Sequence, residues 1–357
     1  MNKRLDKLRD LLKENGSDAC LISGRANTLY FSGFTGSTSL LLVGIDKAWL
    51  IVDFRYTIQA KEQAFEGIEV VEIEESFYST LNEIVKQNLI DTIGFEGQAI
   101  TVSEYNKIKE SLTSIKRLIR FDSQIDWIRS IKDADEIEQI QQAVLLGDKV
   151  FDHIIKFIKP GMKETEVAAE LEYTMKKLGA KGPSFESIIA AGHRSAMCHG
   201  TATDNIIKNG DAVVLDFGVI YHNYCSDMTR TIFIGEPKKE LIKIYDIVKK
   251  AQQAALDGIR TGMSGYDADK IARDIIAHNG YNGAFGHSLG HGVGIEIHEE
   301  PRLSAKSVDV LKDGMVFSVE PGIYVEGLGG VRIEDMVVLE NGRIRNFTTS
   351  PKDMIIL

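Results

Sequence analysis

The chain has 357 residues, 43% of them apolar and 26% charged, the balance of a globular protein too long for a single small core. Domains usually hold about 100–200 residues, so two are expected. The formal net charge of −10 repels phosphate backbones and excludes nucleic acid as an expected partner.

In chain order, Leu5, Leu8, Leu11 and Leu12 recur at helical spacing in MNKRLDKLRDLLKENG, and Gly16 closes the pattern. This predicts an amphipathic helix; a signal peptide would need an apolar central run. No apolar run approaches the roughly 20 residues of a membrane span. Cys20, Cys198 and Cys225 are far apart and form no CxxC pair, so neither a disulfide framework nor a thiolate zinc site is expected. A cytoplasmic protein without membrane contact follows as the expectation.

DACLIS, LYFSGF, SLLLVG, KAWLIVD, IEVVEIEE and DTIGFEG are short apolar runs that predict strands, with a helix around Tyr78–Gln87. Residues 1–122 therefore read as a mixed α/β domain, and they hold no histidine. Residues 123–135 read as a connector. A long helix follows, with Ile137, Ile140, Val144, Val150, Ile154 and Ile158 as its apolar stripe and Pro160-Gly161 as its stop. Further helices are predicted in TEVAAELEYTMKKLGA, over Lys239–Gly258 and over Tyr266–Asn279, before a strand-rich C-terminus. Residues 136–357 form the second domain. All eight histidines lie between His153 and His298, which places the chemistry there.

Two predicted hairpins carry carboxylates in pairs. AVVLDFGVIYHNYCSDMTRTIFIG has apolar runs around a polar centre. An even-numbered loop centred between Tyr221 and His222 would set Asp216 directly opposite Asp227, with Cβ atoms about 4.5–5.5 Å apart. In MVFSVEPGIYVEGLGGVRIEDMVVLE, the turn is assigned to Gly327, Gly329 and Gly330. A loop centred on Gly327 would set Glu320 opposite Glu334. Carboxylates that close repel unless a cation lies between them, and burying them unpartnered is costly. The third segment, FGHSLGHGVGIEIHEEP, has glycines 286, 290, 292 and 294 and reads as a mobile, close-packed loop carrying His287, His291 and His298. It lacks the Lys and Ser/Thr of a phosphate-binding loop.

Four carboxylates and an imidazole suit Mn²⁺, Co²⁺, Fe²⁺ or Zn²⁺, and four negative ligands balance two divalent charges. A pair of ions about 3.5–4 Å apart generates hydroxide near neutral pH and polarises a carbonyl, which is the chemistry of amide hydrolysis.

PSFESIIAAGHRSAMCHG, GDAVVLDFGVIYHNYCSDMTRT, GHGVGIEIHEEP, VFSVEPGIY and GGVRIEDMVV occur in this order over most of residues 130–340. With these motifs the chain resembles the Xaa-Pro peptidases, prolidase and aminopeptidase P, of the methionine aminopeptidase superfamily (peptidase family M24). The resemblance implies an α+β chain: a pita-bread catalytic domain after a smaller creatinase-type α/β domain. It implies two divalent ions, Mn²⁺ foremost, held by Asp216, Asp227, His291, Glu320 and Glu334. Asp227 and Glu334 would bridge both ions, Asp216 would bind one, and His291 and Glu320 the other. Glu320 would also shuttle a proton to the leaving nitrogen. His199 would contact substrate at the mouth of the site, while His287 and His298 would hydrogen-bond the substrate carbonyl and the oxyanion. Arg332 would orient carboxylates.

Arg302, four residues after His298, is a candidate clamp for a substrate's C-terminal carboxylate, which would favour dipeptides. His153, His193, His222 and His278 are left as structural or surface residues, and Asp335 is not assigned. The resemblance further implies a proline-containing di- or oligopeptide substrate and a homodimer. An Xaa-Pro dipeptidase is the first reading and an aminopeptidase acting on longer peptides the second. A methionine aminopeptidase usually lacks the N-terminal domain, and a creatinase-like hydrolase dispenses with metals. A non-catalytic peptide-binding module would be expected to lose ligands, and here none is lost.

Overall fold

The computed structural model describes residues 3–357 and divides into two compact units, one ending at Arg129 and the other spanning Ser130–Leu357. In the first unit a mixed sheet runs in the spatial order Ile68–Glu72, Ala48–Val52, Leu40–Gly44, Ala19–Ile22, Thr92–Glu96, Arg117–Phe121. The first helix, Lys3–Glu14, buries Leu5, Leu8 and Leu12, as its leucine spacing predicts; Met1 and Asn2 of the predicted segment lie outside the described residues. LYFSGF is not a strand but the end of helix Arg25–Ser32, which Gly33 terminates at φ +79°. A short apolar run does not reveal its own period. Just before the helix the Glu96 carboxylate accepts the N–H groups of Ser23 at 2.5 Å and Gly24 at 2.7 Å, fixing the chain where the helix begins. Residues 123–135 contain a helix of their own, Gln124–Ser130, whose Asp126 accepts from Asn27 at 2.9 Å.

The second unit opens with helix Ala134–Phe157. A capping box starts it: Asp133 accepts from the Glu136 N–H at 2.9 Å, and Glu136 accepts from the Asp133 N–H at 3.0 Å. It ends before Pro160, as the stop signal requires. This helix and Glu164–Lys177 cover one face of the antiparallel sheet Ile188–Ala191, Asp211–Phe217, Met228–Ile234. Alternation then fixes what faces the other way. Val213, Leu215 and Phe217 pack with the helices, as do Met228, Ile232 and Ile234. Asp216 therefore points away from that core, and so do Asp227 and Thr229.

The register differs from the expected one by one step of the turn. His222 and Asn223 adopt φ +47° and +69° in a tight turn between the partners Tyr221 and Tyr224. Positive φ at both central residues is the signature of a twisted two-residue hairpin turn, usually supplied by Asn-Gly. The hairpin is thus centred between His222 and Asn223, and Asp216 pairs with Thr229. Asp227 lies diagonally from Asp216 on the same face, two residues short of direct opposition. Between Phe217 and Val219 the hairpin passes from one sheet to another, because Gly218 brings its backbone against the Ser226 carbonyl.

The second hairpin has the expected register. Val319 pairs with Asp335 on one side and Gly322 with Arg332 on the other, so Glu320 and Glu334 occupy opposed positions where the ladder is interrupted. Of the three glycines expected in its turn, only Gly327, at φ +75°, is in it. Gly329 and Gly330 belong to strand Gly329–Arg332, and a Cβ on Gly330 would lie 2.4 Å from the Ser195 carbonyl oxygen. The segment expected as a mobile glycine loop is also corrected. Gly290–Gly292 is a buried strand inside the sheet Glu299–Leu303, Gly290–Gly292, Val316–Val319, Asp335–Glu340, Arg343–Asn346. Its glycines allow backbones to touch: a Cβ on Gly290 would lie 1.9 Å from the Ser318 oxygen and one on Gly292 2.1 Å from that of Glu300.

Two glycines give opposite expectations. A Cβ on Gly218 would sit 1.8 Å from the Ser226 carbonyl oxygen, whereas one on Gly147, within helix Ala134–Phe157, meets nothing nearer than Ser226 Oγ at 3.5 Å. Gly218→Ala should lower unfolding free energy by about 1–3 kcal/mol in urea titrations. Gly147→Ala should leave it unchanged or raise it by about 0.5–1 kcal/mol. Equal effects would contradict the packing.

Candidate metal centre

The five expected ligands sit at strand ends or at strand centres where chains cross. Asp216 is next to last in strand Asp211–Phe217, and Asp227 immediately precedes Met228–Ile234. His291 is the centre of Gly290–Gly292. Glu320 follows Val316–Val319, and Glu334 precedes Asp335–Glu340. All five line one cavity of about 390 Å³, together with His199, His287, His298, Arg302 and Arg332. Every site residue expected from the sequence is therefore brought to one place.

Donor atoms of Asp227, His291 and Glu334 lie within 4.8 Å of one another. Glu320 Oε1 stands 3.3 Å from His291 Nε2, and Asp227 Oδ2 stands 3.6 Å from it. The imidazole is oriented by its other nitrogen: Nδ1 donates to the Gly292 carbonyl at 3.1 Å, which leaves the Nε2 lone pair facing the carboxylates. Burial pushes the His291 pKa down to about 3, so the ring is neutral and able to ligate.

Burial raises the pKa of Asp216, with Arg332 opposing the shift, and raises those of Asp227 and Glu334 well above the usual carboxylate range. Glu320 is pushed up to about 7, chiefly by burial. Arg332 is the guanidinium among them. It contacts Asp216 Oδ2 and donates to Thr229 Oγ1 at 2.9 Å and to the Tyr324 hydroxyl at 2.8 Å. Thr229 in turn donates to Glu334 Oε2 at 2.6 Å. Two carboxylate oxygens, Asp216 Oδ1 and Glu334 Oε1, are buried with no hydrogen-bond partner among the described residues. Orphaned anionic oxygens facing a cavity, beside a neutral imidazole lone pair, fit divalent cations: hard oxygen donors with one borderline nitrogen.

The other predicted residues divide by position. His287 is enclosed. Its Nδ1 donates to the Ser288 carbonyl at 2.9 Å, and its Nε2 lies 2.9 Å from the Tyr324 hydroxyl. Because Arg332 donates to that hydroxyl, the tyrosine proton goes to Nε2, and both ring nitrogens are engaged within the protein. A substrate carbonyl reaches this ring only by displacing one of these contacts. His298 is exposed, with its ring edge-on to His291 at 4.4 Å between centroids. His199 and Arg302 are exposed at the rim, and Arg302 is the cross-strand partner of His291.

His153, His193, His222 and His278 are exposed and do not line the cavity. Asp335, unassigned from the sequence, is fully buried and accepts from Arg230, Gln252, Lys352 and Asn346. Two residues of the centre were not foreseen. Thr229 shares the face of Asp227 by alternation, and Tyr324 lies diagonal to Arg332 across its hairpin. Thr229 follows from a register the sequence misplaced, whereas Tyr324 follows from the register set by Gly327 and could have been found from it.

These shifts have a thermodynamic sign. The raised carboxylates hold protons in the metal-free fold that the unfolded chain releases near pH 4. Their contribution to stability is fully present below the unfolded pKa and is lost as pH rises through the folded one. His287 and His291, lowered to about 4 and about 3, add stability as pH rises to about 6.5, so the thermal midpoint of metal-free protein should fall above that range, between about pH 7 and pH 8. Added Mn²⁺ should raise it more at the higher pH, since ions and protons compete for the same oxygens. A metal-induced shift that is equal at both values would refute this coupling.

Known proteins share the sequence and fold of this chain. Residues 138–341 match the model of metallopeptidase family M24, and residues 4–131 that of the creatinase/prolidase N-terminal domain. The chain is 40% identical to the Xaa-Pro dipeptidase of Pyrococcus furiosus, over 99% of this chain and 100% of that protein. Among solved structures, the Xaa-Pro dipeptidase from Bacillus anthracis superposes with a TM-score of 0.97 at 42% identity, covering 99% of each chain. The X-Pro aminopeptidase from Thermotoga maritima superposes with 0.91 at 42% identity, covering 96% of this chain and 98% of that one.

Proposed function

The chain belongs to metallopeptidase family M24, and from that premise we propose that it hydrolyses the peptide bond before proline in Xaa-Pro dipeptides. It has the pita-bread catalytic unit and the creatinase-type N-terminal unit of that family. The observation that carries the proposal is the buried group Asp227, His291 and Glu334 facing a cavity that Arg302 rims.

In this reading Asp227 and Glu334 would serve as ligands to two divalent ions, Mn²⁺ foremost with Co²⁺, Zn²⁺ or Fe²⁺ as substitutes. Asp216 completes one coordination sphere, and His291 and Glu320 the other. When bound, the ions supply Lewis acidity that eases ionisation of water and polarises the scissile carbonyl. Glu320 takes at a carboxylate oxygen the proton released by the ionising water and hands it to the departing proline nitrogen. His298 donates to the developing oxyanion, where a fixed donor contributes most. His199 bounds the substrate at the mouth, and Phe185, Ile188 and Ile297 offer the proline ring an apolar wall. Arg332 holds Asp216, Thr229 and Tyr324 in place. Arg302, across the strand from His291, pairs bidentately with the carboxylate of a dipeptide.

The second reading, an aminopeptidase acting on longer peptides, is favoured by the likeness to the Thermotoga maritima aminopeptidase, which is as high in sequence identity as that to the Bacillus anthracis dipeptidase. Three unpaired thiols support a reducing, cytoplasmic setting. The family resemblance supports a homodimer.

Metal-stripped protein resupplied with Mn²⁺ should cleave Ala-Pro. Preference for Ala-Pro-Ala would establish the second reading, and activity on Met-Ala-Ala alone would overturn both. Asp227→Asn and Glu334→Gln should each abolish turnover and reduce bound metal, as near-normal activity in either would refute shared ligation. His298→Ala should lower kcat by about 10²–10³-fold with metal content intact, the cost of losing an oxyanion donor. Arg302→Ala should impair Ala-Pro more than Ala-Pro-Ala.

A further inference from the structure

Glu164 begins helix Glu164–Lys177, lies outside the cavity and is fully buried. A buried carboxylate is retained only when donors surround it. Its donors all come from one stretch of chain. Oε1 accepts from the Ala191 N–H at 2.9 Å and from Asn205 Nδ2 at 2.9 Å. Oε2 accepts from the Thr203 N–H at 3.0 Å and from the Thr203 hydroxyl at 2.8 Å. Arg194 Nε adds an ion pair at 3.0 Å.

These contacts join the two ends of the segment between residues 191 and 205, and the middle of that segment forms part of the mouth. Cys198, His199 and Thr201 line the cavity there. Arg194, held by Glu164, reaches forward to the Thr201 carbonyl at 2.6 Å, so the clasp extends to the residues flanking His199. On its far side the segment is met by Arg332 NH1, which donates to the Cys198 carbonyl at 3.3 Å. None of the five proposed metal ligands is among Glu164's partners. Damage to the clasp reaches the metal centre only indirectly, through Arg332 and the strand that ends at Ala191, and bound Mn²⁺ measured in Glu164→Gln tells the two apart.

We propose that Glu164, acting with Arg194, is a positioning residue for the substrate mouth: it holds the segment between residues 191 and 205 so that His199 and Thr201 meet the peptide. The inference rests on the peptidase reading for its kinetic consequence, but not for its structural one. Glu164→Gln removes the charge and exchanges an acceptor for a donor while keeping the shape.

The test has two arms. In the first, KM and kcat for Ala-Pro are measured in the parent, Glu164→Gln, His199→Ala and the double variant, each reconstituted with Mn²⁺. Glu164→Gln should raise KM about tenfold with kcat little changed, since small displacements of positioning groups carry costs of this order or larger. Its effect should largely vanish in the His199→Ala background, because residues acting through one another are not additive. Additive effects, or an unchanged KM, would overturn the proposal. In the second arm the rate of Cys198 modification by an aromatic disulfide is followed by mass spectrometry, which requires no activity. Cys198 is half-buried, whereas Cys20 and Cys225 are buried. Glu164→Gln should speed labelling of Cys198 several-fold and leave the other two unlabelled. An unchanged Cys198 rate would refute the clasp, and labelling of all three would show general unfolding and refute a local role. If the parent cleaves none of the peptides, the peptidase reading fails while this second arm still decides the clasp.

Discussion

Asp216, Asp227, Glu320 and Glu334 share one cavity with a neutral imidazole, and Arg332 is the cation hydrogen-bonded among them. Like charges in a low-dielectric enclosure are the most expensive arrangement a fold can hold without compensation. Protons do so in the metal-free chain, which is why burial drives Asp227 and Glu334 so far up. Divalent ions do so in the active protein. Much else in the second unit serves to hold these groups in place. Thr229 occupies one oxygen of Glu334, and Arg332 one oxygen of Asp216, so that a single orphaned oxygen on each remains to face a cation.

Behind this layer lies another of complete satisfaction. Asp335 follows Glu334 directly, yet it is ionised and below its usual range despite burial, because Arg230 and Lys352 pair with it and Gln252 donates to it. Adjacent acidic residues, one at the start of a strand and one just before it, thus face opposite sides and opposite electrostatic regimes. One is deprived of donors and set toward the cavity, and the other is saturated and fixes the strand. Arg230 links the two by donating to the Glu334 carbonyl as well. Glu164 follows the same logic as Asp335: full satisfaction marks a carboxylate that holds structure, and deprivation marks one that awaits a ligand.

The sequence disclosed the acidic pairs, the histidine cluster and most helices because each depends on residue type and local period. Leu5, Leu8 and Leu12 could be read as one helical face without knowing what covered them. Register was legible only where the turn declared itself. Gly327 did so, and Glu320 and Glu334 stand where symmetry about it puts them. His222-Asn223 did not, since it lacks the glycine that usually marks such a turn, and the Asp216 pairing was displaced by two residues. The error left the chemistry intact because a two-residue shift preserves the face of the strand. The glycines of GHSLGHGVG misled for a different reason. Glycine permits both flexibility and close backbone contact, and only the neighbouring strands show that contact was the use made of it. LYFSGF failed because a short apolar run does not reveal its period, and the Glu96 carboxylate that fixes the chain ahead of its helix is remote in sequence.

The interruption of the ladder at Glu320 and Glu334 has a consequence for how this architecture tolerates change in length. Paired strands on both sides of the break fix the two glutamates independently of the turn between Val325 and Gly329. Extra residues inserted at that tip lengthen a loop and leave the pairing untouched. One residue inserted between Val319 and Gly322 would instead rotate a glutamate out of the cavity or break the pairing beyond it. Natural insertions and engineered grafts should therefore accumulate at the hairpin tip and be purged from its base.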